Sequence, residues 1–292
     1  MLKLRRAFCY NRDVVIDFHT HVFSPRIKAD RSKYVQSDPC FAALYSDRKA
    51  RLADAHDLIQ SMDKDGIDIS VVLNIGWTSH ELCVETNDYI LEAINCYPRR
   101  LVGFCAVQPR SLELALKEIE RCAKGGMKGI GELRPDIQQL DLNNTEMMKP
   151  FVEAIRKHHL ILLTHSSEPV GHQYQGKGVV TPDILYSFIT DFPDLTLVCA
   201  HWGGGLPFYA LMPEVKRAMS NVYFDTAASP YLYSPQIHSQ VIQMVGADKI
   251  LFGSDYPLLA PSRLLKEINA LGLPEETKNL ILSGNAKRLL GI

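Results

Sequence analysis

Six residues of this sequence, His19, His21, Glu132, His165, His201 and Asp255, are of the types that bind divalent metal ions and move protons. His19 and His21 lie near the end of the run "VVIDFHTHV", Val14 to Val22, with one residue between them. Side chains two apart on a strand leave the same face, so both imidazoles can converge on one point. Ordinary hydrogen bonding at a strand end explains such a pair equally well when it is taken alone. The other four residues occupy comparable places: Glu132 in "GIGEL", His165 in "LLTHS", His201 in "CAHWGGGLP" and Asp255 in "LFGSDYP". Imidazole and carboxylate together suit zinc and related divalent ions. An ion held by neutral imidazoles lowers the pKa of a bound water to about 7, which makes a nucleophile near neutrality. Metal-assisted hydrolysis is therefore the expected default reaction.

These residues are far apart in the chain, so one fold must gather them. Eight short apolar runs alternate with amphipathic segments: Val14 to His21, Asp68 to Gly76, Leu101 to Pro109, Met127 to Pro135, Leu160 to Pro169, Leu195 to Gly203, Val222 to Ala228 and Ile250 to Pro257. Between them lie helical patterns such as "RLADAHDLIQSMDKDG", "SLELALKEIERCAKGG" and "MMKPFVEAIRKHH", several closed by Gly or basic residues. The alternation predicts an α/β fold, a (β/α)8 TIM-type barrel, with extra C-terminal helices around "PEETKNLILSGNAKRLL". Residues 1–292 read as one barrel domain, since such barrels routinely reach this length. Their active sites lie at the C-terminal ends of the strands, and the six residues fall at five of those ends. His158 and His159 read instead as helix C-terminal residues. The segment after the first strand is unusually long for a βα loop, and it is expected to form a lid or substrate wall. Its Arg26, Lys28, Lys33 and Tyr34 are weighed as substrate contacts, with solvated surface preferred for each.

The chain is 46% hydrophobic and 22% charged, with a net charge of −1, as expected of a globular enzyme acting on a small molecule. That balance shows no footprint for nucleic acid or an acidic membrane surface. The N-terminal "MLKLRRAFCYNRD" lacks the apolar core of a signal peptide, and no run is long enough to span a bilayer. Seven cysteines, Cys9, Cys40, Cys83, Cys96, Cys105, Cys122 and Cys199, form no Cys-x-x-Cys pair. A reducing, cytoplasmic setting is expected. Cys105 and Cys199 read as small buried hydrophobes.

The motifs "DFHTH", "GIGEL", "LLTHS", "CAHWGGGLP" and "LFGSDYP" together resemble the amidohydrolase superfamily of metal-dependent barrels, across almost the whole chain. "HWGGGLP" and "FGSDYP" look most like the branch containing aminocarboxymuconate-semialdehyde decarboxylase. That resemblance implies His19, His21, His165 and Asp255 as ligands of one metal, with His201 beside the bound water. Glu132 resembles the carboxylate of TatD-like members, which helps hold a second metal and makes both later histidines ligands. The expectation is one or two ions per chain, zinc first, with manganese, iron and cobalt also admitted by the ligand set. Asp255 would carry the proton, while His201 would polarise the substrate or assist the transfer. A homo-oligomer is also expected from the resemblance.

Around this centre Trp77, Trp202, Tyr231 and Tyr233 follow predicted strands and could line a pocket, although packing under loops explains each of them too. Arg134 could grip a substrate carboxylate or phosphate, or pair internally with Glu132 or Asp136. The leading reading is a hydrolase of an amide, ester, lactone or similar bond. The alternative is a non-oxidative decarboxylase of a small carboxylated substrate, and a binding or scaffold role is the least expected.

Overall fold

The computed structural model describes residues 14–292. The N-terminal segment and Cys9 therefore lie outside the described residues. Eight parallel strands run β1 Ile16–His21, β2 Ile69–Leu73, β3 Leu101–Cys105, β4 Gly129–Leu133, β5 Ile161–Thr164, β6 Leu197–Cys199, β7 Val222–Asp225 and β8 Ile250–Leu251. Each strand pairs with its neighbour in sequence. The ring closes where Phe18 N donates to Phe252 O at 2.7 Å, His21 N to Tyr256 O at 2.7 Å and Asp255 N to His19 O at 2.9 Å. The expected (β/α)8 barrel is what forms. One apolar cluster draws Phe18, Val71, Phe104, Leu163, Val198 and Leu251 together from six strands, and a larger one joins strands to the covering helices.

The helical patterns become Ala55–Asp65, Leu112–Lys124 and Thr145–Lys157, with their apolar stripes buried. Asp54 and Asp57 form a reciprocal cap at the start of the first, and Gly66 ends it in the left-handed conformation at φ 80°. Helices Pro261–Ala270, Glu275–Asn279 and Asn285–Leu290 follow the last strand, as expected. The first strand ends at His21 as expected, and the other seven stop two to six residues early at their C-terminal ends. The chain there leaves the ladder and turns into loops that carry the polar residues. Among the described residues all six cysteines are free thiols, and no helix is long and apolar enough to cross a membrane.

The long connection after β1 is not an open loop. It folds into three short helices, Pro25–Ala29, Arg31–Ser37 and Pro39–Tyr45. Proline at the first helical position and a capping side chain start two of them: Ser24 accepts from Ile27 N, and Asp38 from Phe41 N. Asp38 also accepts from Thr78 N and Thr78 Oγ1, at 2.8 and 2.7 Å, which ties the wall to the loop after β2. Phe23, Ile27, Tyr34, Cys40, Phe41 and Trp77 fill a core of their own, with Phe41 and Trp77 stacked at 5.4 Å. Arg26 and Tyr34 meet Glu85, and Lys28 meets Asp54 and Asp57, so their polar ends are engaged by the protein. Phe41→Ala should cost about 3–5 kcal/mol of stability, read by denaturant unfolding. A loss under about 1 kcal/mol would mean that this wall is not a packed unit.

Candidate functional site

β1 carries His19 and His21 into the barrel mouth. A register shift against β2, between Asp17 and Thr20, re-aims the side chains there, as irregular pairing beside active sites commonly does. The two Nε2 atoms lie 3.0 Å apart. Behind them, His19 Nδ1 donates to Asp225 Oδ2 at 2.8 Å, which fixes the imidazole tautomer and turns Nε2 toward the site. Asp225, the last residue of β7, is completely buried, and its other oxygen accepts from His201 N and Ala227 N at 2.9 and 3.1 Å. One carboxylate therefore orients two of the site histidines. It was missed from sequence, although "YFDT" places an acid at a strand end like the others.

Glu132, near the end of β4, follows another register shift, between Ile130 and Leu133. Its Oε1 lies 2.9 Å from His165 Nδ1 and 3.4 Å from His201 Nε2. Oε2 lies 3.9 and 3.8 Å from the Nε2 atoms of His19 and His21. The ligand atoms form two convergent groups, His19, His21 and Glu132 in one and Glu132, His165 and His201 in the other, each within 4.8 Å. Glu132 belongs to both. His201 enters through a left-handed turn, φ 54°, that continues through Trp202 and three glycines. At Gly204 a Cβ would stand 2.3 Å from Ser167 O, so this turn admits no side chain there. His201 Nδ1 meets Ala227 O at 3.1 Å, which leaves Nε2 facing Glu132.

Asp255 closes the cluster, with Oδ1 3.5 Å from His21 Nε2 and 3.8 Å from His19 Nε2. It is held in the left-handed conformation at φ 66°. Burial would raise its carboxyl, but the bond from His21 and the charges of His19 and His201 hold it at about 2. Burial also works against Glu132, yet His165, His201 and His19 keep it well below the usual carboxylate range. Burial opposes a charge on His19, while Asp225 outweighs it and raises the imidazole to about 10; Glu132 likewise lifts His201 to about 9. His165 goes the other way, to about 4, through burial and the nearby Arg134. Glu132 and the partly buried Asp255 thus face only histidines, with no Lys or Arg within salt-bridge distance of either among the described residues. Below them, burial lifts Asp17 to about 7 even though Ser254 donates to it twice.

The cluster floors a cavity of about 480 Å³, which Tyr231 and Arg134 also line. Three expected pocket residues are elsewhere: Tyr233, whose ring lies 6.3 Å from that of Phe208, and the two tryptophans. Trp77 is fully buried in the wall core, its Nε1 bonded to Asn74 Oδ1. Trp202 is fully buried beneath the site, its Nε1 donating to Ser229 Oγ at 2.9 Å. Large aromatics just past a strand end are as readily consumed by packing as by a pocket. Arg134 is buried and pairs with Asp136 at 3.1 Å, not with Glu132.

A profile of the amidohydrolase family matches residues 16–292. The chain belongs to the amidohydrolase family. Among curated relatives of this amidohydrolase, 2-amino-3-carboxymuconate-6-semialdehyde decarboxylase of Dictyostelium discoideum is 24% identical, over 96% of this chain and 92% of its own length. Gamma-resorcylate decarboxylase of Polaromonas sp. strain JS666 is 23% identical, over 82% and 89%. The 5-carboxyvanillate decarboxylase of Novosphingobium aromaticivorans, solved with manganese and 4-hydroxy-3-methoxy-5-nitrobenzoic acid, superposes with a TM-score of 0.79 at 20% identity, over 96% and 97% of the two chains. The amidohydrolase barrel is shared, and the expectation of hydrolysis is corrected: these relatives are decarboxylases. Activated water was the wrong default because the same donor set serves both chemistries.

Proposed function

We propose that this amidohydrolase is a metal-dependent non-oxidative decarboxylase of a small carboxylated molecule. The supporting observation is that the curated relatives matched over most of the chain are decarboxylases, and the cavity floor, where Glu132, Asp255 and four imidazoles converge, offers the donors for a metal. That donor set fits a divalent cation, which binds deprotonated imidazole and carboxylate. His19, His21, His165 and Asp255 would hold it, with Glu132 and His201 able to join for a second ion. Zinc was the first expectation, and the manganese bound by the carboxyvanillate enzyme supports manganese as an equal candidate. When bound, the ion supplies a positive anchor that draws electron density from a carboxylated substrate.

The chain's own groups do the rest. Decarboxylation breaks the bond between the carboxylate carbon and its neighbour; carbon dioxide leaves, and the electron pair stays on the neighbouring carbon, which must take a proton. Asp255 stands at the cavity floor, placed to take up a proton from solvent and pass it to that carbon, the hydroxide left behind being consumed by the released carbon dioxide as bicarbonate. His201, its Nε2 turned inward by the bond to Ala227, would polarise the substrate on the Glu132 side. Asp225 holds His19 and His201 in register. Asp225→Asn should weaken metal binding by about 10- to 100-fold, measured against a competing chelator. Unchanged affinity would remove Asp225 from this role.

The test of the reaction uses manganese- or zinc-loaded protein and a panel of small aromatic and unsaturated carboxylates that includes 2,6-dihydroxybenzoate. In deuterated water the expected products are carbon dioxide and an organic product deuterated at the vacated carbon. Solvent oxygen-18 appearing in the organic product would overturn the reading.

A further inference from the structure

Among the described residues Arg134 is the one buried Lys or Arg, and its surroundings are built to hold it still. Its backbone N donates to Gln138 Oε1 at 3.0 Å, and the Gln138 amide in turn donates to Trp77 O and Val107 O at 3.1 and 2.8 Å. Gly76 packs so closely that a Cβ there would lie 2.4 Å from Arg134 Cβ. The guanidinium plane is set by Asp136, which accepts from Nε at 3.2 Å and Nη2 at 3.1 Å. A guanidinium has five N–H donors, and Asp136 takes only two of them. Nη1 has no hydrogen-bond partner among the described residues, and the residue lines the cavity with its side chain 3% exposed. These donors face the cavity, where water meets them until a ligand that matches their geometry displaces it.

The position is distinct from the metal-type cluster. Arg134 lies two residues beyond Glu132, about 6–7 Å along an extended chain. The Arg134–Asp136 pair flanks His165: a Cβ on Gly178 would stand 3.1 Å from both Asp136 Oδ2 and His165 Cδ2. Asp136 already balances the charge, so what remains is directional donor capacity, which a planar carboxylate matches best. We propose that Arg134 receives a second carboxylate of the substrate, separate from the group lost at the cluster, so that the enzyme acts on dicarboxylates. Only the identity of the other group rests on the decarboxylase reading.

Calorimetric titration of the manganese-loaded protein with benzoate and with benzene-1,2-, 1,3- and 1,4-dicarboxylate tests this without turnover. At least one dicarboxylate should bind about 10-fold or more tightly than benzoate. Arg134→Met should erase that difference and leave benzoate binding as it was. Equal affinity for all four compounds in the unsubstituted protein would overturn the proposal, whether or not the variant folds. An Arg134→Met protein that weakens benzoate and dicarboxylate alike would also overturn it, because Arg134 would then serve the shared carboxylate. Absence of carbon dioxide release would instead count against the reaction and leave this binding result standing.

Discussion

Asp255→Asn lowers turnover per metal-loaded molecule by about 10²-fold or more, the usual scale for losing an acid–base group. The substitution preserves size and the φ 66° backbone that aims the side chain, and the bond from Asp255 N to His19 O does not depend on the carboxylate. What it removes is the negative charge, and with it the basicity of the carboxylate whose Oδ1 lies 3.5 Å from His21. Loss of the ion would mimic this fall, so metal content is measured by elemental analysis on the same sample. Full occupancy with unchanged turnover would refute Asp255 as the proton carrier. The deuterium experiment adds a second readout: slow variant turnover should still deliver deuterium to the vacated carbon, because only the rate of proton delivery has changed.

His21→Ala should abolish activity by removing most of the bound metal. The His21 Nε2 is 3.0 Å from that of His19 and within 3.8 Å of both Glu132 and Asp255, so its loss opens the site on the side where these groups meet. His19→Ala should empty the site as well, but it reports two effects at once. Asp225 is completely buried and would lose its 2.8 Å partner, at a cost of about 1–3 kcal/mol in stability. His21 is the cleaner probe, since its Nδ1 has no hydrogen-bond partner among the described residues. Circular dichroism should show both barrels intact. Full metal occupancy in His21→Ala would take this residue out of the site.

Residue types and their spacing were enough to indicate the barrel and the metal-type cluster, for a physical reason. A parallel sheet buried on both faces needs near-continuous apolar strands, so the polar residues that interrupt them stand out at the strand ends. His19, His21, Glu132, His165, His201 and Asp255 were visible in this way; the structure brings five of them to one cavity floor and sets His19, fully buried, directly behind His21. Hydrolysis did not follow from them, because ligand identity sets which cation can bind and not which bond of a substrate breaks.

Tertiary packing decided the remainder. Trp77 and Trp202 follow strand ends just as Tyr231 does, yet burial in loop cores took the first two and left Tyr231 half exposed on the cavity. The long segment after β1 looked like an open loop because its helices are too short to show a clear period, and its stability comes from contacts with β2-loop residues far along the chain. The register shifts in β1 and β4 aim His19 and Glu132 through pairing with neighbouring strands, and nothing in a single strand's own pattern encodes a shift against its partner. Asp225, over two hundred residues from His19, acquired its role only when barrel closure brought their side chains to 2.8 Å.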